Sequence, residues 1–217
     1  SYHLNCIGGV YAEMGRFEEA LDYYQQSLTL RQTIGDLWGV AGCYDNLGNI
    51  YLQQGKYQEA LDHCLQSLAI TEKTGDQKGR GNTLFNMGRI YAERQDYTNA
   101  LDSLQRSLQI RESVGDKKGR AEIYCFLGAL YEGSAFAQAN LPQSFDYLQQ
   151  ALTLAEELKA QDILYKIHHN LSKTYKHAGD LSLALYHYEQ YAELEKETLY
   201  NCIRMSDYNA DNYLDGV

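Results

Sequence analysis

His168, His169 and His177 lie close together and are the chain's nearest approach to a metal-ligand set. A zinc-type site would add thiolates or carboxylates to such imidazoles. No Cys or repeated carboxylate accompanies them. His168 also falls where the chain elsewhere places Leu4, Tyr44, Leu84 and Tyr124, which assigns it to packing against a neighbouring helix. Recurring Asp22, Asp62, Asp102 and Asp146 resemble a carboxylate array, but each sits near the start of an expected helix, where an acid favours the helix dipole. Cys6, Cys43, Cys64, Cys125 and Cys202 are odd in number, scattered and without a CxxC pair, the usage of reduced thiols in a cytoplasmic protein. GxSxG, GxxxxGK[ST] and HExxH motifs are absent. No catalytic residue, cofactor or metal is expected, and the chain is read as non-enzymatic. The most distinctive chemistry is charge: Lys166, Lys173 and Lys176 share a stretch with the three histidines and one acid, Asp162.

The elements that position these groups come from a repeat. Gly8, Gly48, Gly88 and Gly128 are spaced by 40, as are Gly35, Gly75 and Gly115, and Gly39, Gly79 and Gly119. Gly15 and Gly55 share a fourth slot, which Gly179 reoccupies after a four-residue slip. The unit GNIYLQQGKYQEALDHCLQSLAITEKTGDQKG returns as GRIYAERQDYTNALDSLQRSLQIRESVGDKKG. Each unit reads as two helices. Tyr44, Leu47 and Tyr51 give the first its apolar stripe, and Leu61, Leu68 and Ile70 the second. The first closes at Gly15, Gly55 or Gly179, the second at Gly-Asp pairs such as Gly75-Asp76, where Gly suits the C′ position and Asp caps or turns the chain. Small residues (Gly48 against Ala60, Gly88 against Ala100) let the two helices approach closely. The fourth unit is four residues longer, in EGSAFAQANLPQS. Pro142 is expected to open its second helix, and Phe136 to tuck back onto the nearest helix.

Composition agrees. One proline among 217 residues disfavours turn-rich β architectures, and 12% aromatics argues against disorder. A net charge of −10 makes nucleic acid and anionic membrane poor partners. No apolar run is long enough to span a bilayer, and nothing at Ser1 reads as a signal peptide.

The order Leu/Tyr, Leu, Gly, Tyr, then Phe/Tyr, Ala and a Leu-rich end resembles the tetratricopeptide repeat (TPR) over about nine tenths of the chain. The common unit has about 34 residues with a proline near its end, whereas this one has 40 and ends in Gly-Asp. That longer form is similar to repeats of Pins/LGN-type adaptors, kinesin light chains, bacterial peptide receptors and the sensory arms of bacterial signalling proteins. The resemblance implies an all-α, right-handed α-solenoid of five TPR-like helix-turn-helix hairpins with a C-terminal capping helix and tail. The expected solenoid covers 1–199, in repeats 1–39, 40–79, 80–119, 120–160 and 161–199, followed by a cap end and polar tail over 200–217.

In the family resembled, the first helix of each repeat lines a concave groove. Carried onto this sequence, those slots include Asp45, Asn46, Asn49 and Leu52 in repeat two and Phe85, Asn86 and Arg89 in repeat three. Cys125 follows in repeat four, then Lys166, His169, Asn170, Lys173, Lys176 and His177 in repeat five. Two readings of the fifth helix stand side by side: a solvated helix that has drifted basic, or the basic end of a groove oriented for an extended peptide. Asn46, Asn86 and Asn170 form a ladder suited to holding a peptide backbone; the competing reading bonds them to the neighbouring helix. The Lys-then-Asn carboxylate-clamp pattern of chaperone-binding TPR modules is absent.

A solenoid cap has a polar outer face, expected here from an extension of the last helix to about Met205, with a frayed tail from Asp207. ELEKETLYN over Glu193–Asn201 is similar to the exit from sensory TPR regions into a signalling helix. Because the chain begins almost inside a helix, it is expected to be part of a larger protein. The function expected is a cytoplasmic scaffold that binds a protein or peptide, with an acidic group of the partner near the fifth repeat. The alternative is the regulatory or sensory arm of a larger bacterial cyclase, kinase or transcription regulator whose output domain lies outside this chain.

Overall fold

A computed structural model describes residues 2–133 and 140–214, with side chains through Glu197; Phe136 lies outside the described residues. Among them are ten helices and no strand. A first unit, through Asp116, holds α1 (Tyr2–Glu13), α2 (Phe17–Thr33), α3 (Leu37–Gln53), α4 (Tyr57–Thr74), α5 (Gln77–Glu93) and α6 (Tyr97–Ser113). A second, from Lys117, holds α7 (Lys117–Glu132), α8 (Leu141–Leu158), α9 (Gln161–His177) and α10 (Leu181–Leu214). Consecutive odd and even helices pair as hairpins.

The Gly-Asp pairs end one helix and start the next. After α2, the Gly35 and Asp36 amides donate to the Gln32 and Arg31 carbonyls, a Schellman closure with Gly35 at φ 72°. The Asp36 carboxylate then accepts from the Gly39 amide at 2.9 Å, capping α3, and pairs with Arg31 at 2.6 Å. This explains the glycine three residues after each Asp: a Cβ on Gly39 would lie 2.2 Å from the Asp36 carboxylate oxygen. Pro142 stands in the first turn of α8 as expected, and Asn140 caps that helix by accepting from the Gln143 amide.

Gln95 takes the left-handed slot that Gly15 and Gly55 fill elsewhere, at φ 61°. An L side chain is strained there. Gln95→Gly is expected to stabilise the first unit by about 0.5–1 kcal/mol, read by urea unfolding.

The hairpins join through apolar faces. Ala20, Tyr24 and Leu28 of α2 pack with Val40, Cys43, Leu47 and Ile50 of α3. Ala60, Leu61 and Cys64 of α4 pack with Met87 and Ile90 of α5. Within hairpins the small-residue contact is real: a Cβ on Gly88 would sit 2.7 Å from Leu104 Cγ and 3.3 Å from the Ala100 carbonyl oxygen.

Three register slots also build an aromatic sandwich inside the hairpins. Tyr44 and Tyr51 flank the His63 ring, and Tyr124 and Tyr131 flank Tyr147. In the last hairpin His168 and Tyr175 flank His187. His168 therefore packs on its hairpin partner, as its slot indicated.

Two features of α10 differ from expectation. It continues as one helix to Leu214 rather than fraying after Asp207. Its described outer face is also not polar, because Leu181, Leu185 and Tyr188 are exposed.

Candidate functional site

Within each unit a first helix meets the first helix of the neighbouring hairpin (α3 with α5, α7 with α9), and several expected groove residues make hydrogen bonds between such helices. Asn46 Nδ2 donates to Asn5 Oδ1 at 3.0 Å, and Arg89 Nη1 donates to Asn49 Oδ1 at 3.0 Å. Asn170 Nδ2 lies 3.4 Å from both the carbonyl oxygen and Sγ of Cys125. A slot thus meets the same slot, or the one after it, in the next repeat. By count, Asn46 and Asn49 each retain a further N–H and a carbonyl lone pair for a ligand. Asn86 is buried, and Phe85 lies beneath two guanidinium groups, those of Arg89 at 5.9 Å and Arg111 at 5.5 Å. Arg111 is fixed in turn by Asn82 and Asp116.

Asp45, Leu52 and Cys125, read as groove slots, are buried. Asp45 sits between α4 and α5, only 9% exposed, with Oδ2 accepting from Thr83 Oγ1 at 3.0 Å while Thr83 also contacts Ser67. Its other oxygen, Oδ1, has no partner. Burial pushes the carboxyl up to about 7, against the opposing hydrogen bonds from Thr83 and Ser67.

In the second unit α9 carries the cationic set. Lys166, Lys173 and Lys176 are exposed, and Lys166 Nζ lies 5.7 Å from the Tyr165 ring centroid. His169 is half-buried against Tyr191 of α10, at 4.7 Å. Burial, then the charge of Lys173, lowers its pKa, so it is neutral near pH 7. His177 Nδ1 faces Glu132 Oε1 at 2.7 Å, and Asp162, the one acid of the helix, pairs with Lys118 at 2.7 Å. The positive charge that faces solvent on α9 is thus carried by three lysines beside a tyrosine platform. Tyr165 and Tyr191 were not among the expected site residues; each stands where other repeats carry a small residue, as at Ala41 and Gly81 or Ser67 and Ser107, and that departure is the signal that would have found them. A depression of about 340 Å³, lined by Phe145, Asp146, Gln149, Leu171 and Tyr175, holds none of the expected groove residues.

Beneath this face, the Nδ1 atoms of His168 and His187 are 2.9 Å apart, so one imidazole donates to the other. Burial lowers both pKa values, and for His187 the neighbouring His168 charge adds to the effect. The unfolded chain therefore binds protons more readily than the folded one. Stability from this pair is present above about pH 6.5 and lost as pH falls below it. Replacing both with Tyr, the pair that repeat four uses, is expected to flatten the stability loss between pH 7.5 and 5, measured by urea unfolding.

Among the described residues no helix is long and apolar enough to cross a membrane, and no group of three or more His, Cys, Asp or Glu is placed to hold a metal ion.

A family model described as Tetratricopeptide repeat matches residues 1–73 and 79–139. The chain belongs to the tetratricopeptide-repeat family. No curated protein sequence matches this TPR chain. Among solved structures it is similar to BtubC (BKLC) from P. vanneervenii, with 18% identity and TM-score 0.69 over 90% of this chain and 79% of that one. It is also similar to nearly identical TPR-like repeats of a putative kinesin light chain from Podosopora anserina, with 18% identity and TM-score 0.60 over 91% and 95%. A Rap protein complexed with Competence and Sporulation Factor gives 16% identity and TM-score 0.66 over 89% of this chain and 51% of that one. At these identities the likeness is one of fold: an all-α TPR-type repeat. The TPR repeats support a protein-interaction scaffold in general.

Proposed function

We propose that the chain is a scaffold that binds a protein or peptide segment, with an acidic group of that segment seated on Lys166, Lys173 and Lys176 of α9. The observation that carries this reading is the α9 face. In a chain of net charge −10 it presents three exposed lysines, while its one acid is paired with Lys118. Such a face favours an acidic ligand through electrostatic complementarity, and Tyr165 with half-buried His169 and Tyr191 offers apolar surface beside it. In the first unit the remaining carboxamide groups of Asn46 and Asn49 supply main-chain hydrogen bonds beside Phe85 and Arg89, Asn86 being buried, and in the second His177 and Asn170 border the lysines. The buried free thiols of Cys43, Cys64 and Cys125 are in keeping with a reducing, cytoplasmic setting.

Fluorescence anisotropy with short labelled peptides of equal length, one Glu-rich and one Lys-rich, tests the reading. The Glu-rich peptide is expected to bind and to weaken as salt rises; equal affinity for both peptides would contradict it.

A second reading keeps the same face and makes it the input of a larger signalling protein. It is favoured by α10, which continues as a single helix of 34 residues to Leu214, a length suited to passing a signal onward.

A further inference from the structure

Within the second unit, α8 and α9 meet at a depression of about 340 Å³, a volume in the range of small-ligand sites. Its floor is buried Leu171, and its walls are the half-buried rings of Phe145 and Tyr175. Those ring centroids lie 4.6 Å apart with the planes tilted by 52°. Tyr175 also stacks on His187 at 5.3 Å, which fixes its ring. At the rim stand Asp146 and Gln149, both exposed. Gln150 donates to Asp146 Oδ2 at 3.1 Å, and Asp146 Oδ1 is left without a hydrogen bond among the described residues.

The repeat register sets this join apart from the others. The slot of Phe145 holds Leu21, Leu61 and Leu101 in α2, α4 and α6, so an aliphatic wall becomes aromatic here. One turn beyond Tyr175 the chain carries exposed Ala178, where Met14, Gln54 and Arg94 follow α1, α3 and α5. The long side chain of that slot is therefore absent beside the rim. An aromatic face attracts cations through its quadrupole, and a neighbouring carboxylate adds charge of the right sign. At about 3.6 residues per turn, Lys166, Lys173 and Lys176 fall on the opposite side of α9 from Leu171 and Tyr175. Burial lowers the pKa of His187, so the ring behind Tyr175 is neutral near pH 7.

We propose that this depression is a site for an organic cation, an alkylammonium or guanidinium group held against the Phe145 and Tyr175 rings with Asp146 as its counter-charge. Leu171 gives apolar contact to the methyl or methylene carbons, and the Gln149 carboxamide oxygen accepts an N–H where the group has one. A free quaternary ammonium compound and a Lys or Arg side chain of a protein share this chemistry. The site lies away from the lysine face, so it does not rest on the acidic-segment reading.

Proton–nitrogen correlation spectra of the chain, titrated with three probes, test the proposal. Choline is a free quaternary ammonium, N-acetyl-argininamide presents the guanidinium as a protein would, and the tert-butyl analogue of choline has its shape without its charge. At least one cation is expected to give saturable shifts at Phe145, Asp146, Leu171 and Tyr175, about tenfold more tightly than the neutral analogue. Whichever cation binds more tightly names the source, free ligand or partner side chain. Phe145→Leu restores the residue of the other three hairpins and is expected to keep the fold, which the same spectra check. That substitution and Asp146→Asn are each expected to weaken the cation about threefold. Equal affinity for the neutral analogue, cation binding untouched by both substitutions, or the lack of saturable shifts at these residues overturns the proposal.

Discussion

Asp45→Asn is expected to raise the unfolding free energy of the first unit at pH 8 by on the order of 4 kcal/mol and to leave it nearly unchanged at pH 3. The Asp45 carboxyl lies between α4 and α5 with one oxygen on Thr83 and the other without a partner, and burial raises its pKa to about 7. In the unfolded chain it returns to the ordinary carboxylate value near 3.8. Below that value both states hold the proton and nothing is lost. Between about 4 and 7 the unfolded state ionises first, so stability falls as pH rises, by roughly 1.4 kcal/mol for each pH unit. Above 7 the folded state carries a buried, half-satisfied charge. Asn keeps the acceptor for Thr83 and cannot ionise. Urea unfolding of both proteins from pH 3 to pH 8 checks this; parallel pH profiles would show that Asp45 is not the group responsible.

Reversing Lys166, Lys173 and Lys176 to Glu is expected to weaken an acidic peptide about a hundredfold and to remove its salt dependence. Each exposed ion pair contributes modestly, but reversal replaces three attractions with three repulsions. The variant should fold normally, because all three side chains are exposed. Circular dichroism and the unfolding midpoint separate loss of binding from loss of structure.

The helical register was legible because it rests on backbone requirements. Glycines mark helix ends and close contacts, and Pro142 marks the start of α8. Gln95 shows the limit of that signal, since it adopts a glycine's conformation without being one. The site was less legible. A 3.6-residue period separates the covered side of a helix from the open side, but it does not say which neighbour covers it. Asp45, Leu52, Asn86 and Cys125 fall at slots expected to face the groove, yet the adjoining helices bury them. Asn46 and Asn170 reach neighbouring first helices through bonds visible only once repeats are stacked slot against slot. The exposed apolar face of α10 was missed because Leu181, Leu185 and Tyr188 carry the same stripe that interior hairpins bury.

The most direct measurement is panning a displayed random-peptide library in parallel on the immobilised chain and on the Lys166/Lys173/Lys176 reversal variant. Enrichment of Asp- and Glu-containing peptides on the parent chain, absent from the variant, is the result predicted. Indistinguishable peptide sets from the two proteins would contradict a cationic α9 site for an acidic segment.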